Sequence, residues 1–202
     1  MKAEIIAVGT EILLGDILNT NAQYLSKELA QLGIEVYFQT VVGDNPKRLK
    51  DTIFQAFSRA DLIITTGGLG PTEDDLTKET AAEYFGEELV LDERALGRIE
   101  KYFKRTGRTM TENNRKQAMV PKEHGIVLYN DNGTAPGIIM EKNGKIIAML
   151  PGPPKETMPM FENQVKPYLQ KKQEYTFVSE ILRVASVGES AMETLVKDII
   201  DA

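Results

Sequence analysis

The chain has 202 residues, of which 42% are hydrophobic and 27% charged, enough for one sizeable α/β core with at most a small appendage. Its formal net charge of −6 argues against a nucleic-acid partner held by bulk electrostatics. The absence of cysteine excludes disulfides, thiolate metal sites and cysteine nucleophiles. With neither a signal-peptide core nor a run of about 18 apolar residues, the sequence leads us to expect a cytoplasmic protein with no membrane partner.

Strands and helices alternate along the first half of the sequence. Apolar runs and helical spacing predict, in order, a strand at residues 4–8, a helix at 19–33, a strand at 34–42, a helix from Pro46 to Ala60, a strand at 61–66 and a helix from about Asp74 or Asp75 to Phe85. This order predicts an α/β fold, with a parallel sheet covered by helices on both faces.

Three acidic loops follow the first three predicted strands, at residues 9–16, 42–45 and 67–75. Ligands of parallel α/β sheets bind beyond the carboxyl ends of the strands. We therefore expect these loops to converge on one crevice.

The second half is less regular. We predict helices at 92–105 and 111–119, a strand at 125–129, a hairpin of strands 138–141 and 145–150 turned by Asn143-Gly144, a helix at 155–171, a strand at 176–187 and a last short helix from Gly188. The segment PGPPKE, residues 151–156, is a rigid break before its helix.

The stretch TTGGLGPTEDD, residues 65–75, is the most informative motif. Glycines between a strand and a helix permit positive φ and bring N–H groups to an oxyanion, as in phosphate sites. It is neither a Walker A loop nor a dinucleotide fingerprint. The alternative is purely local: Thr72 would cap the following helix and Asp75 would complete a capping box.

Acids beside a phosphate loop make chemical sense if a divalent cation bridges the two. Mg²⁺ is commonly held by one or two carboxylates together with phosphate oxygens. Capping and metal binding are compatible, because a carboxylate has several lone pairs. His124 is the only histidine, and we assign it no role.

Each remaining motif has a functional and an ordinary interpretation. In GTEILLGD, the functional interpretation is that Thr10, Glu11 and Asp16 line the crevice, and the ordinary one is that they are solvated loop residues. Asp44 would either enter the crevice or cap the next helix. NDNGTAPG (130–137) and LPGPPKE (150–156) would form its other wall or be plain turns. Arg115 or Lys116 would clamp phosphate or lie on a solvated helix face.

Taken together, the motifs GTEILLGD, NTN, TTGGLGPTEDDLTKE, NRKQA, NDNGTAPG and LPGPPKE resemble the amino-terminal domain of the CinA family, within the molybdopterin-binding superfamily of MogA, MoaB and MoeA. The resemblance spans residues 1–171, and residues 172–202 resemble a linker and the start of a KH-like segment. Many family members also have a carboxyl-terminal nicotinamide-mononucleotide deamidase domain, an activity that we do not assign to this chain.

The resemblance implies a three-layer α/β/α domain that acts as a metal-dependent pyrophosphatase and hydrolyses ADP-ribose to AMP and ribose 5-phosphate. The alternative is a molybdopterin- or nucleotide-binding module without turnover. It also implies a homo-oligomer such as a dimer, and a divalent metal, Mg²⁺ or else Mn²⁺ or Co²⁺, with K⁺ as an additional ion. Asp44 and Asp75 match the pocket acids of the superfamily and would hold the metal, with Asp74 as a further catalytic candidate. Because one helix turn cannot point Asp74 and Asp75 the same way, we expect Asp75 to face the site.

The substrate-binding residues expected from these motifs are Thr10, Glu11, Asp16, Asn21, Gly67, Gly68, Gly70, Thr72, Arg115, Asn132, Gly133, Thr134, Pro151, Gly152 and Pro154.

Overall fold

The computed structural model describes residues 1–173 and 183–201. Its strands are β1 (Lys2–Val8), β2 (Glu35–Val42), β3 (Leu62–Thr66), β4 (Leu89–Leu91), β5 (Met119–Pro121), β6 (Gly125–Leu128), β7 (Gly137–Lys142) and β8 (Lys145–Leu150). Its α-helices are α1 (Thr10–Leu14), α2 (Thr20–Gln31), α3 (Pro46–Phe57), α4 (Thr77–Phe85), α5 (Glu93–Thr106), α6 (Pro154–Met160), α7 (Lys166–Gln170) and α8 (Glu189–Ile200). A 3-10 helix spans Glu112–Ala118, and a π-helical stretch, Phe161–Val165, joins α6 to α7.

Six strands form the main sheet in the order β2-β1-β3-β8-β7-β6. The first four are parallel, and β7 and β6 are antiparallel additions at one edge. The register pairs Val8 with Val42 and Thr66 with Leu150, so the carboxyl ends of the parallel strands lie at one edge. The predicted α/β fold with a mostly parallel sheet is confirmed.

Helices cover both faces of this sheet. On one face, Leu25 and Leu29 of α2 pack in one core cluster with Phe161. On the other face, Ile53 of α3 and Phe85 of α4 belong to a second cluster. Because both faces are buried, the central strands read as nearly continuous apolar runs, and the three-layer α/β/α architecture follows.

Two asparagines begin the helices α2 and α3. The Asn19 side chain accepts from the Ala22 N–H at 3.1 Å, and the Asn45 side chain accepts from the Arg48 N–H at 3.0 Å. Pro46 occupies the first turn of α3, as predicted. The alternative in which Asp44 caps α3 was wrong, because Asn45 does so and leaves the Asp44 carboxylate for another partner.

The β7–β8 hairpin follows its sequence signal. Asn143 and Gly144 have φ of 54° and 74°, as a two-residue turn with two left-handed positions requires. The predicted helix at 155–171 is interrupted by the π-helical stretch after Pro159, since proline removes a helical N–H donor.

Several local predictions need correction. α4 begins at Thr77, so Asp74 and Asp75 lie in a turn before it, and residues 10–14 form the short helix α1. The segment 112–118 is 3-10 rather than α-helical, and the ribbon of β4 and β5 was not predicted. Of the predicted strand at 176–187, residues 176–182 lie outside the described residues and 183–187 contain no strand.

Among residues 1–173 and 183–201, no helix combines the length and the apolar character that crossing a membrane requires.

Candidate functional site

A crevice of about 490 Å³ opens at the carboxyl ends of the parallel strands. The loops after β1, β2, β3 and β8 form its walls, together with residues just before β7 and one side chain of the 3-10 helix. Its lining residues are Val8, Gly9, Glu11, Asp44, Gly67, Gly68, Leu69, Gly70, Pro71, Thr72, Asp74, Asp75, Gln117, Thr134, Ala135, Pro151, Gly152, Pro153 and Glu156. The three acidic loops therefore converge, as predicted from their positions after the strands.

The loop after β3 requires glycine at two successive positions. Gly67 and Gly68 have φ of 98° and 67°, which side-chain-bearing residues rarely adopt. A Cβ on Gly67 would clash with the Val8 carbonyl oxygen, and one on Gly68 would clash with the Thr77 hydroxyl. Thr77 fixes the loop by donating from its hydroxyl to the Gly67 carbonyl at 3.0 Å.

Asp75 is held by the residue three positions before it. Its Oδ2 accepts from the Thr72 N–H at 2.9 Å and from the Thr72 hydroxyl at 2.5 Å. The alternative in which Thr72 caps the following helix was wrong, because Leu76 occupies the cap position of α4 and no side chain caps the helix. Asp74 and Asp75 both line the crevice, since a turn rather than a helix carries them.

Asp44 is held in the same way from a distant part of the chain. Its Oδ2 accepts from the N–H and from the hydroxyl of Thr10, each at 2.9 Å. The Thr10 hydroxyl oxygen also accepts from the Asp44 N–H at 3.1 Å, so the two residues join the loops after β1 and β2. A threonine thus orients an aspartate on each of two walls of the crevice.

The 3-10 helix braces the glycine loop from behind. The Lys116 ammonium donates to the carbonyl oxygens of Thr72 and Asp75 at 2.8 and 2.6 Å. Lys78 donates in turn to the Lys116 carbonyl at 2.7 Å, and burial lowers the pKa of Lys78 to about 8. Lys116 is therefore a structural brace, and Arg115 lies outside the crevice lining, 3.3 Å from Glu112.

Glu156 is a crevice carboxyl that the sequence did not single out, although it lies in the LPGPPKE motif. Its Oε2 accepts from the Asn130 amide at 2.8 Å, and burial raises the pKa of Glu156. A Cβ on Gly133 would clash with this carboxylate, so a larger residue in NDNGTAPG would displace the Glu156 side chain. The two motifs therefore pack on each other at the crevice wall.

The predicted site residues divide into those at the crevice and those beside it. The crevice lining contains Glu11, Asp44, Gly67, Gly68, Gly70, Thr72, Asp74, Asp75, Thr134, Pro151 and Gly152. Outside the lining lie Thr10, which holds Asp44; Asn21, which donates to the Gly152 carbonyl at 2.7 Å; and Asp16, Arg115, Asn132, Gly133 and Pro154. Lining residues that sequence reasoning missed are Val8, Gly9, Leu69, Pro71, Gln117, Ala135, Pro153 and Glu156.

A second cavity of about 390 Å³ shares Glu156 with the crevice and is lined by Asn132. Arg94 and Arg98 of α5 line it, and their guanidinium carbons lie 4.2 and 5.5 Å from the Tyr129 ring centre. The sequence interpretation considered only Arg115 and Lys116 as basic groups near the site. The spacing of Arg94 and Arg98 by one helical turn was the available signal.

Comparisons with known proteins agree with this architecture. A family model described as "Probable molybdopterin binding domain" matches residues 4–171. A CinA-like protein of Dictyoglomus turgidum is 60% identical over 200 residues, which cover 99% of this chain and 48% of that protein. A protein of Clostridium beijerinckii that is named a competence-damage inducible protein is 58% identical over 202 residues, which cover 100% of this chain and 49% of that protein.

The chain belongs to the CinA family. The solved structure of a CinA protein from Thermoplasma acidophilum has a TM-score of 0.73 at 36% identity, covering 82% of this chain and 96% of that one. A molybdopterin biosynthesis enzyme, MoaB, of Thermus thermophilus has a TM-score of 0.53 at 19% identity, covering 84% and 96%, and it shares the fold. This CinA-family chain spans about half the length of the curated relatives it matches.

The activity expected from the resemblance needs correction. The matching family is described by molybdopterin binding, and the names of the CinA relatives indicate no pyrophosphatase. The prediction of ADP-ribose hydrolysis to AMP and ribose 5-phosphate was therefore wrong, and the alternative of a binding module agrees better with the findings.

Proposed function

We propose that the crevice of this CinA-family domain binds the phosphate end of a molybdopterin-type or nucleotide ligand, as a binding module without turnover. The observation that carries the proposal is the glycine loop. Within residues 1–173 and 183–201, the N–H groups of Gly68, Leu69 and Gly70 donate to no protein acceptor, and all three residues line the crevice. Successive unpaired N–H groups in such a loop form an anion site.

The carboxylates beside this anion site would repel a phosphate unless a cation lay between them and it. Asp44 and Asp75 each use Oδ2 for a threonine, and in the described part of the chain no hydrogen bond reaches either Oδ1. No group of three or more histidine, cysteine or acidic side chains suited to a metal occurs among the described residues. Two carboxylates nevertheless suit Mg²⁺, which completes its octahedral shell with phosphate oxygens and water.

We therefore infer that a divalent cation enters with the ligand rather than occupying a site built by protein groups alone. Mg²⁺ is the expected ion, and Mn²⁺ or Co²⁺ would use the same oxygen ligands. K⁺ remains an additional candidate. Asp74, on the same turn, would add charge to the cation side of the site.

Calorimetric titration with inorganic pyrophosphate, with Mg²⁺ and with a chelator, tests this proposal. We expect saturable binding that is tighter with Mg²⁺, and the ligand should be recovered unchanged by chromatography. In Asp75→Asn, Mg²⁺ should no longer tighten binding. The matched control is Glu73→Gln, because this neighbouring acid does not line the crevice and should leave the Mg²⁺ effect intact.

Two outcomes would contradict the proposal. Absence of saturable pyrophosphate binding under both conditions would remove the anion site. Equal loss of the Mg²⁺ effect in Asp75→Asn and Glu73→Gln would show that general surface charge, rather than the crevice, attracts the cation.

We also propose that the chain binds its small-molecule ligand as a homo-oligomer, a dimer in the simplest case. Sedimentation equilibrium of the 202-residue chain over a range of concentrations measures this directly. A mass of one chain at every concentration would contradict it.

A further inference from the structure

A smaller cavity of about 290 Å³ adjoins the crevice between the loop after α1 and the proline segment after β8. Half of its lining residues are apolar, and the others add hydroxyl and amide groups, the Gly152 backbone and the Glu11 carboxylate. The lining residues are Val8, Glu11, Ile12, Ile17, Leu18, Asn19, Thr20, Asn21, Thr66, Gly152, Pro153 and Pro154. We call it the apolar annex.

The apolar annex is continuous with the crevice. Val8, Glu11, Gly152 and Pro153 line both spaces. The Asn21 amide donates to the Gly152 carbonyl at 2.7 Å, and this bond fixes part of the shared wall against α2. A ligand can therefore extend from the glycine loop into the apolar annex without a break in its protein surroundings.

The open side of the apolar annex carries two strongly exposed apolar residues. Ile17 is 50% exposed and Leu18 is 84% exposed, and neither belongs to a core cluster of the described residues. Exposed apolar side chains at the rim of a concave site gain free energy when a ligand covers them. Packing in the core does not explain why these two positions are apolar, whereas contact with a bound ring would.

We propose that the apolar annex binds the planar heteroaromatic ring, a purine or a pterin, of the ligand whose phosphate lies on the glycine loop. This inference rests on the proposed phosphate binding in the crevice. An annex of about 290 Å³ is large enough for one bicyclic ring, and the wall that it shares with the crevice lets the phosphate of the same ligand reach the glycine loop. Apolar walls cover the ring faces, and Thr20 and Thr66 supply hydroxyl groups for its edges.

The test compares ligands with and without a ring on the full 202-residue chain. The ring-bearing probes are 2-aminopurine riboside 5′-diphosphate and 6-hydroxymethylpterin diphosphate, both fluorescent, and the ring-free probe is inorganic pyrophosphate. We expect both rings, or one of them, to tighten binding at least about tenfold over pyrophosphate. The tighter of the two probes identifies the ring class.

Leu18→Ser is the diagnostic variant, and Leu14→Ser is its matched control. Both leucines are highly exposed, at 84% and 71%, but only Leu18 lines the apolar annex. Leu18→Ser should weaken the ring-bearing probe about fivefold to tenfold and leave pyrophosphate unchanged. Leu14→Ser should change neither, and Ile17→Ser should reproduce the Leu18→Ser result.

The outcomes separate this inference from the proposed function. If pyrophosphate binds but the ring adds no affinity, the ring site is wrong and the phosphate site stands. If the ring adds affinity that Leu18→Ser and Ile17→Ser do not reduce, the ring lies elsewhere and the inference is overturned. An equal effect of Leu14→Ser would also overturn it, and failure of pyrophosphate itself would contradict the proposed function.

Discussion

The two threonine-held aspartates of the crevice have the same hydrogen bonds but different origins. Asp75 and Thr72 are three residues apart, within one turn. Asp44 and Thr10 are 34 residues apart, and they meet because β1 and β2 pair in parallel with Val8 opposite Val42. Similar side-chain geometry thus arises once from a local turn and once from strand register.

The difference predicts which disturbances reach each aspartate. A change in the glycine loop should displace Asp75, whereas Asp44 should respond to changes that separate the loops after β1 and β2. In the proposed site both aspartates face the same ligand. Variants of Asp75 and Asp44 therefore compare a side chain placed by a local turn with one placed by tertiary structure.

The largest expected effect concerns charge on both walls. In Mg²⁺, Asp44→Asn and Asp75→Asn should each weaken pyrophosphate binding about tenfold, while in a chelator each should strengthen it because one repelling charge is removed. If both carboxylates bind one cation, the double variant should lose less than the product of the single losses. Isothermal titration measures all four proteins, and strictly multiplicative losses would show that the aspartates act on separate ions.

The threonines should separate the two walls by stability. Thr10→Val removes a hydroxyl that both donates to Asp44 and accepts from its N–H, and it should lower the free energy of unfolding by about 1–2 kcal/mol. Thr72→Val removes only a donor within one exposed turn, and we expect about 0.5 kcal/mol. Urea denaturation measures both, and equal losses would contradict the distinction between long-range and local attachment.

Two glycine variants should show which wall tolerates a methyl group. A Cβ on Gly70 would meet the Asp75 carboxylate, whereas one on Gly43 would lie 3.1 Å from Leu13 Cδ1 and 3.2 Å from Thr10 Oγ1. Gly70→Ala should reduce Mg²⁺-dependent pyrophosphate affinity about fivefold, and Gly43→Ala no more than about twofold. A larger loss of affinity in Gly43→Ala than in Gly70→Ala would contradict the expectation that the Asp75 wall tolerates a methyl group less well than the Asp44 wall.

The smallest effect is a pH dependence at Glu156, another carboxyl of the crevice lining. Burial raises the pKa of Glu156, so it keeps its proton at pH values where an exposed glutamate has lost it. As pH rises through this pKa, a new negative charge should weaken pyrophosphate binding about twofold to threefold, and the free energy of unfolding should also fall. Glu156→Gln should remove this step in titrations that rise from the ordinary glutamate pKa. An identical pH profile in the variant and the unaltered chain would assign the step to another group.

Much of the scaffold could be predicted from local sequence. The buried runs of β1 and β3, the asparagine start of α2, and the Asn143-Gly144 turn depend on residues within a few positions of one another. The glycine loop after β3 could also be predicted, because its three glycines lie within four consecutive residues. The proposed boundary at residue 171 and the KH-like assignment of 172–202 stay predictions.

Other features depended on contacts that no local pattern contains. β4 and β5 pair although α5 lies between them in the chain. Each strand has only three residues, which is too few for an alternating apolar pattern to be recognised. α4 begins at Thr77 because Thr77 binds the glycine loop through its hydroxyl and its N–H, not because an acid caps it. The choice between a cap and a crevice position for Asp44 was likewise decided by Thr10.

The sequence by itself determined the order of strands and helices, the glycine loop and the supply of acids around it, because these follow from short-range periodicity and backbone freedom. Tertiary structure decided that Asp44, Asp74, Asp75 and Glu156 share one crevice. It also decided that Lys116 braces the loop from behind, since parallel strand pairing and helix packing bring together groups that are far apart in the chain.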